Sequence, residues 1–122
     1  MKNDNFYVYH IRDCINKINI YSNDETMETF ENNSMMQDAI IRQIEIIGEA
    51  SSKLSKSFKD LHNIVKWKNI IGMRNKLIHD YFGIDTKAVW MTVQQDIPIL
   101  KKEIDDIINN FDQSNLFNEE NN

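Results

Sequence analysis

The chain contains few of the residues that interrupt helices. Only three of its 122 residues are glycine and one is proline. No segment alternates strictly between apolar and polar residues, which is the pattern of a half-buried strand. These absences favour long helices, and we therefore predict an all-α fold.

Cysteine and long apolar runs are also scarce. The single cysteine, Cys14, excludes an intramolecular disulfide, and no CxxC or Cys/His cluster indicates a metal site. The first residues lack the apolar run of a signal peptide, and no later run has the length needed to cross a bilayer. We expect a cytoplasmic protein that binds no metal or cofactor and has no membrane segment.

Apolar residues recur every three or four positions in several segments, as in amphipathic helices. They predict helices over about residues 5–21, 25–31, 36–54, 67–78 and 86–110. We expect residues 32–34 to cap the third helix, Asp85 to cap the last, and Pro98 to kink the last. Gly48, inside the third helix, indicates a close helix crossing or an adjacent site. The prediction is a four- to five-helix bundle over residues 1–112, followed by a polar flexible tail over residues 113–122.

The apolar stripes are long for such a short chain. They leave more apolar helix surface than one small bundle is expected to cover. We therefore predict that the protein forms a homodimer.

The net charge of −5 at first argues against a nucleic-acid partner. Its distribution weakens the objection, because residues 34–80 hold eight Lys or Arg against five acids, whereas residues 103–122 hold six acids and no base. A modest basic region of this kind is compatible with RNA, although such a charge run is also typical of an ordinary solvated surface.

One short segment concentrates groups that can act on a phosphodiester: Arg74-Asn75-Lys76-Leu77-Ile78-His79-Asp80-Tyr81. Arginine can bind two phosphate oxygens at once, and histidine exchanges protons near neutral pH. His79 could exchange a proton with the ribose 2′-hydroxyl or the leaving 5′-oxygen while Arg74 neutralises the phosphorane. The alternative is structural, with Arg74 at a helix end or in an ion pair and His79 as a satisfied structural histidine.

Helical geometry constrains these residues. Positions five apart on an α-helix diverge by about 140°, so Arg74 and His79 do not share a face. Asn75 and His79 do, so the Asn75 amide could orient the imidazole. Arg74 must then reach around the helix or act on a second subunit's site. Gly83 is interpreted as a helix stop, which places residues 79–82 at or beyond the last turn.

The chain resembles the HEPN superfamily, specifically its HepT-like toxins. The resemblance covers about residues 37–104 and rests on three ordered segments around an Arg-x4-His-x-Tyr signature. The segments are Asp38-Ala39-Ile40-Ile41-Arg42-Gln43-Ile44-Glu45-Ile46-Ile47-Gly48-Glu49-Ala50, then Trp67-Lys68-Asn69-Ile70-Ile71-Gly72-Met73-Arg74-Asn75, and finally His79-Asp80-Tyr81-Phe82-Gly83-Ile84-Asp85 with Val89-Trp90.

This resemblance implies an all-helical homodimer with paired motifs at its interface, acting as a metal-independent endoribonuclease. Arg74 and His79 match the family's catalytic pair. It also implies a toxin of a type VII-like toxin–antitoxin system, neutralised by a nucleotidyltransferase antitoxin of the MntA type that AMPylates the tyrosine matched by Tyr81. The phosphate of an adenylate at that position would pair with the Arg74 cation and block the binding of RNA. RNA is the expected substrate, and DNA binding is not expected.

Two other interpretations remain open. The chain could be a non-catalytic subunit, in which Arg74 and His79 hold a nucleotide or dock a nucleotidyltransferase. It could also be a structural bundle that dimerises and has no chemical activity.

Overall fold

The structure is a computed structural model that describes residues 3–79 and 83–120, except for the side chains of His79 and of residues 112–120. The described residues are almost entirely helical, and none of them forms a strand. This confirms the all-α prediction. No helix in this part of the chain combines the length and the apolar character that crossing a membrane requires.

The described residues form seven α-helices and one π-helical turn. The α-helices are α1 (Asp4–Ser22), α2 (Met27–Glu31), α3 (Ser34–Lys53), α4 (Lys56–Leu61), α5 (Trp67–His79), α6 (Thr86–Met91) and α7 (Ile97–Glu120), and the π-helical turn covers Thr92–Asp96. The four longest helices, α1, α3, α5 and α7, agree with the predicted four- to five-helix bundle.

Polar side chains fix where several helices begin. The Asn33 side chain accepts a hydrogen bond from the Met36 amide at the start of α3, and Asp85 accepts one from the Ala88 amide at the start of α6. Both satisfy amide groups that have no partner within the helix. The two predicted caps are thus confirmed.

The long helix α3 lies at the centre of the bundle. It packs against α1 on one side and α5 on another, while α7 packs against α1. The apolar stripes of these helices meet in a single core, in which Ile11, Ile40 and Ile104 are fully buried. The position of α5 is therefore set mainly by its contact with α3.

Two features depart from the predicted helices. The short helix α4 was not predicted, although Ser55 caps it and Phe58 is buried. Its start is joined to α1, because both carboxylate oxygens of Asp4 accept hydrogen bonds from Ser55, at 2.8 and 2.7 Å. The backbone of α7 continues to Glu120, beyond residue 112 where we placed the end of the domain. The flexible character of residues 113–122 stays a prediction, since their side chains lie outside those described.

At Pro98, where we predicted a kink in the last helix, the structure has a π-helical turn immediately before the proline. There the Ile97 amide donates to the Thr92 carbonyl, five residues earlier instead of four. Pro98 has no amide hydrogen and crowds the preceding turn, which disfavours regular α-helical bonding at this point. The sequence located the irregularity but did not specify its geometry.

Candidate active site on helix α5

Helix α5 carries Arg74, Asn75 and His79, and it is anchored at both ends. Near its start, buried Trp67 donates its indole N–H to the His62 carbonyl at 3.1 Å. Near its end, Leu77 is buried in the core. This confirms the helix predicted over residues 67–78. The motif therefore lies on a regular, packed helix up to His79.

The β- and γ-carbons of Arg74 pack against α3 at Gly48. A β-carbon placed on Gly48 would overlap Arg74 Cβ and would lie 2.8 Å from Arg74 Cγ. Carbon atoms normally approach no closer than about 3.5 Å. Gly48 thus marks the close helix crossing that the sequence indicated, and it lies directly beside a residue of the motif.

The head of Arg74 has a neutral partner. Its Nη1 donates a hydrogen bond to Asn75 Oδ1 at 2.9 Å. Within the described part of the chain, no carboxylate forms an ion pair with Arg74. The side chain is half-buried. Since Asn75 does not neutralise it, the guanidinium keeps a positive charge available for an anion.

His79 is the last described residue of α5. It stands five positions after Arg74, which corresponds to about 7.5 Å along the helix axis and a divergence of about 140°. The structure thus separates the two positions around the helix, as expected. The His79 side chain and Tyr81 lie outside the described residues, so their roles stay predictions. Residues 80–82 lie outside those described, so the helix stop at Gly83 also stays a prediction.

Asn75 lies on the α5 face that also leads to His79, four positions on. We expected its amide to orient the imidazole, whereas the described contact joins its oxygen to Arg74. The sequence did not predict this pairing, because two adjacent helical positions do not normally face each other and only the reach of arginine brings them together. Whether Asn75 also orients His79 stays a prediction.

The sequence also gave no indication of a contact between Met73 of α5 and Thr92 of the π-helical turn. The Thr92 hydroxyl, buried in the π-helical turn, donates to the Ala88 carbonyl at 3.0 Å and lies 3.6 Å from Met73 Sδ. Met73 directly precedes Arg74. Pro98 was the only sequence signal near this contact.

A pocket of about 390 Å³ lies between α3, α5 and α7. Its walls are mainly apolar and include Ile70 and Met73 of α5, but Arg74 does not line it. Glu103 and Lys66 stand at its polar rim. Burial raises the pKa of Glu103, and the positive charge of Lys66 partly opposes that rise. The pocket is therefore a neighbour of the motif and not part of it.

The basic region predicted from sequence is partly neutralised. Arg42 pairs with Glu45 at 3.5 Å, and Lys56 pairs with Asp60 at 2.8 Å. On α5 itself, Lys68 and Lys76 are exposed and form no ion pair with any described carboxylate. Lys68 and Lys76 therefore add to the positive charge that Arg74 provides on α5.

The other two histidines lie on different elements. His10 is exposed on α1, and His62 follows α4 with its ring centroid 4.5 Å from that of Phe58. Burial lowers the pKa of His62. Neither residue was assigned a chemical role. No group of three or more His, Cys, Asp or Glu in the described part of the chain is arranged to hold a metal ion.

These features define a helical-bundle protein in which a packed helix carries a histidine and an arginine that no described carboxylate neutralises. Comparison with family models identifies its class, because residues 11–107 match the family described as Ribonuclease HepT-like. The chain belongs to this family, which confirms the resemblance drawn from the motif segments.

Individual relatives agree with this assignment. A protein of Methanocaldococcus jannaschii named “Gamma-glutamylcyclotransferase and putative RNase” is 41% identical over 93% of this chain, but the match spans only 51% of that protein. A second protein of the same organism, named “Putative RNase”, is 40% identical over 81% of this chain and 91% of its own length. A “Probable ribonuclease HepT” of Thermococcus cleftensis is 42% identical over 78% of this chain and 86% of its own length. Comparison with solved structures found no match.

Proposed function

We propose that the protein is a metal-independent endoribonuclease and the toxin of a toxin–antitoxin pair. One observation carries the proposal: in a chain of the Ribonuclease HepT-like family, Arg74 has a neutral hydrogen-bond partner and no described carboxylate to neutralise it. An arginine in this state can bind a phosphate and stabilise charge that develops on it. It stands on the same helix as His79, which supplies a group able to exchange protons.

The proposed reaction is attack of a ribose 2′-oxygen on the adjacent phosphorus. A bond forms between the 2′-oxygen and phosphorus, and the bond to the 5′-oxygen breaks, leaving a 2′,3′-cyclic phosphate and a 5′-hydroxyl. The 2′-hydroxyl loses a proton and the 5′-oxygen gains one; His79 exchanges one of these protons and solvent water exchanges the other. Arg74 stabilises the negative charge of the phosphorane. Asn75 has an orienting role, through its hydrogen bond to the Arg74 guanidinium.

A test compares the wild type with His79→Ala on structured RNA in excess chelator. We expect cleavage that leaves cyclic phosphate ends and that His79→Ala abolishes. His10→Ala is the matched control, because it removes an exposed imidazole from α1 and should cleave at the wild-type rate. Absence of cleavage by wild type with an unmodified Tyr81, verified by intact mass, would instead favour a nucleotide-binding or docking subunit.

We further propose that the active form is a homodimer, in which two motifs lie close together. Exposed apolar side chains on the pocket rim support self-association, since Ile64 and Ile99 are 75% and 62% exposed. The double variant Ile64→Asp/Ile99→Asp should sediment as a monomer. The control Met35→Asp changes an apolar residue that is 81% exposed and does not line the pocket, and it should leave the dimer intact. A wild-type monomer at micromolar concentration would refute the proposal.

The proposed antitoxin is a nucleotidyltransferase that transfers AMP from ATP to the Tyr81 hydroxyl and releases pyrophosphate. This transfer places a phosphodiester-linked adenosine two residues after His79, where it would compete with RNA for Arg74. Co-expression with the enzyme should add adenylate mass to wild type and not to Tyr81→Phe. Adenylate on Tyr81→Phe, or full ribonuclease activity of the modified wild type, would contradict this step.

A further inference from the structure

Helices α3 and α5 are in close contact at Gly48. Three atoms of α5 surround the place where a Gly48 β-carbon would stand: Arg74 Cβ, Arg74 Cγ at 2.8 Å and the Ile70 carbonyl oxygen at 3.2 Å. Ile70 is one helical turn before Arg74, so its carbonyl belongs to the backbone turn that carries Arg74. Gly48 therefore fits against one specific turn of α5.

Changing the rotamer of Arg74 cannot relieve this contact. The β-carbon of Arg74 is fixed by the backbone, whereas a side-chain rotation moves only the atoms beyond it. The Ile70 oxygen is also a backbone atom. A β-carbon at position 48 would thus require the turn of α5 that carries Arg74 to move away from α3 or to rotate.

We propose that Gly48 is a positioning residue for Arg74, setting the depth and rotation at which α5 presents the guanidinium to RNA. This inference rests on the proposed ribonuclease function. Gly48 does not touch RNA in this proposal and acts only through the helix turn it contacts. A displacement of about 1 Å in a catalytic group can lower the rate about 100-fold.

Gly72 provides a matched control. It lies on α5 itself, two residues before Arg74, and a β-carbon there would meet no atom within 4 Å. Gly48→Ala and Gly72→Ala therefore add the same methyl group to helical glycines, one in a closed crossing and one in open space. Both variants are first shown to be folded by circular dichroism below their unfolding temperatures.

The first measurement is RNA cleavage in chelator. We expect Gly48→Ala to lower kcat about 100-fold while Gly72→Ala stays within about twofold of wild type. In an Arg74→Ala background, Gly48→Ala should lower the residual rate by much less than in wild type, because the guanidinium that it displaces is already absent. A wild-type rate for Gly48→Ala, or an equal loss in both backgrounds, would overturn the inference.

The second measurement separates this inference from the ribonuclease proposal. Gly48→Ala should lower the thermal unfolding temperature of wild type. In the Arg74→Gly background, which lacks the Arg74 β- and γ-carbons that the new methyl group would meet, the decrease should be at most half as large. Equal shifts would overturn the proposed contact whatever the protein does to RNA. If Gly48→Ala lowers the unfolding temperature more in wild type than in Arg74→Gly, the contact between the helices is supported. If wild type then fails to cleave RNA, only the ribonuclease function is rejected.

Discussion

Arg74 donates a hydrogen bond from Nη1 to the side-chain oxygen of its neighbour Asn75, at 2.9 Å. Asn75 is exposed and neutral, so it orients the guanidinium without neutralising it. An aspartate in its place would add a carboxylate that competes with phosphate for the same donors. The two side chains should therefore function as a pair.

Replacing Asn75 tests this pairing. We expect Asn75→Ala to lower the kcat of RNA cleavage about tenfold, equivalent to about 1.4 kcal/mol, with little change in the free energy of unfolding because the pair is on the surface. Asn75→Asp should also weaken RNA binding, since its charge offsets that of Arg74. An unchanged pH–rate profile for Asn75→Ala would indicate that Asn75 orients the Arg74 guanidinium. A shifted profile would indicate that it orients the His79 imidazole.

Lysine at position 74 separates charge from geometry. Arg74→Lys keeps the positive charge but loses the planar fork that can hold two phosphate oxygens. We expect kcat to fall at least tenfold in Arg74→Lys and about 10²- to 10³-fold in Arg74→Ala, the range for loss of one transition-state donor. Single-turnover cleavage measures both variants. Full activity of Arg74→Ala would exclude Arg74 from catalysis.

The buried thiol of Cys14 should make stability depend on alkaline pH. Burial raises its pKa from 9.0 to about 11 in the folded protein, and Cys14 is only 3% exposed. Between these pH values the thiol keeps its proton in the folded state and loses it in the unfolded state. Its contribution to the free energy of unfolding is therefore fully present below pH 9 and is lost as the pH rises from 9 towards 11. The slope from this group is at most about 1.4 kcal/mol per pH unit.

Urea unfolding at pH 8 and pH 10.5 measures this dependence. Because tyrosine and lysine also titrate in this range, the comparison is with Cys14→Ala, which lacks the thiol. The free energy of unfolding of wild type should fall more between the two pH values than that of the variant. Parallel pH profiles would show that the thiol has no such effect.

Gly72→Ala should stabilise the protein. The position is exposed within α5, and a β-carbon there meets no neighbour within 4 Å. Alanine restricts the unfolded chain and is favoured in helices, so we expect the free energy of unfolding to rise by about 0.5–1 kcal/mol. Denaturant titration measures this change, and a loss of stability would mean that Gly72 contacts another part of the protein or a second copy.

The sequence alone determined where most of the helices of this protein lie. Apolar spacing located α1, α3 and α5 to within a few residues, and Asn33 and Asp85 were recognisable as caps because their side chains act on amides three residues away. The motif segments identified the family because they too are local patterns, which can be recognised without the tertiary structure. Helix α4 was missed, although with six residues it is one residue longer than the predicted helix α2.

Only the tertiary structure decided what surrounds the motif. Gly48 and Arg74 are 26 positions apart in the chain, and their contact exists because α3 and α5 cross at that one turn. The π-helical turn likewise brings Thr92 to Met73, across 19 positions. Local propensity sets which residues are helical, whereas the depth and rotation of one helix on another depend on side-chain shapes that meet only after packing. The sequence therefore provided Arg74 and Gly48 separately, and the packing of α5 on α3 brought them together.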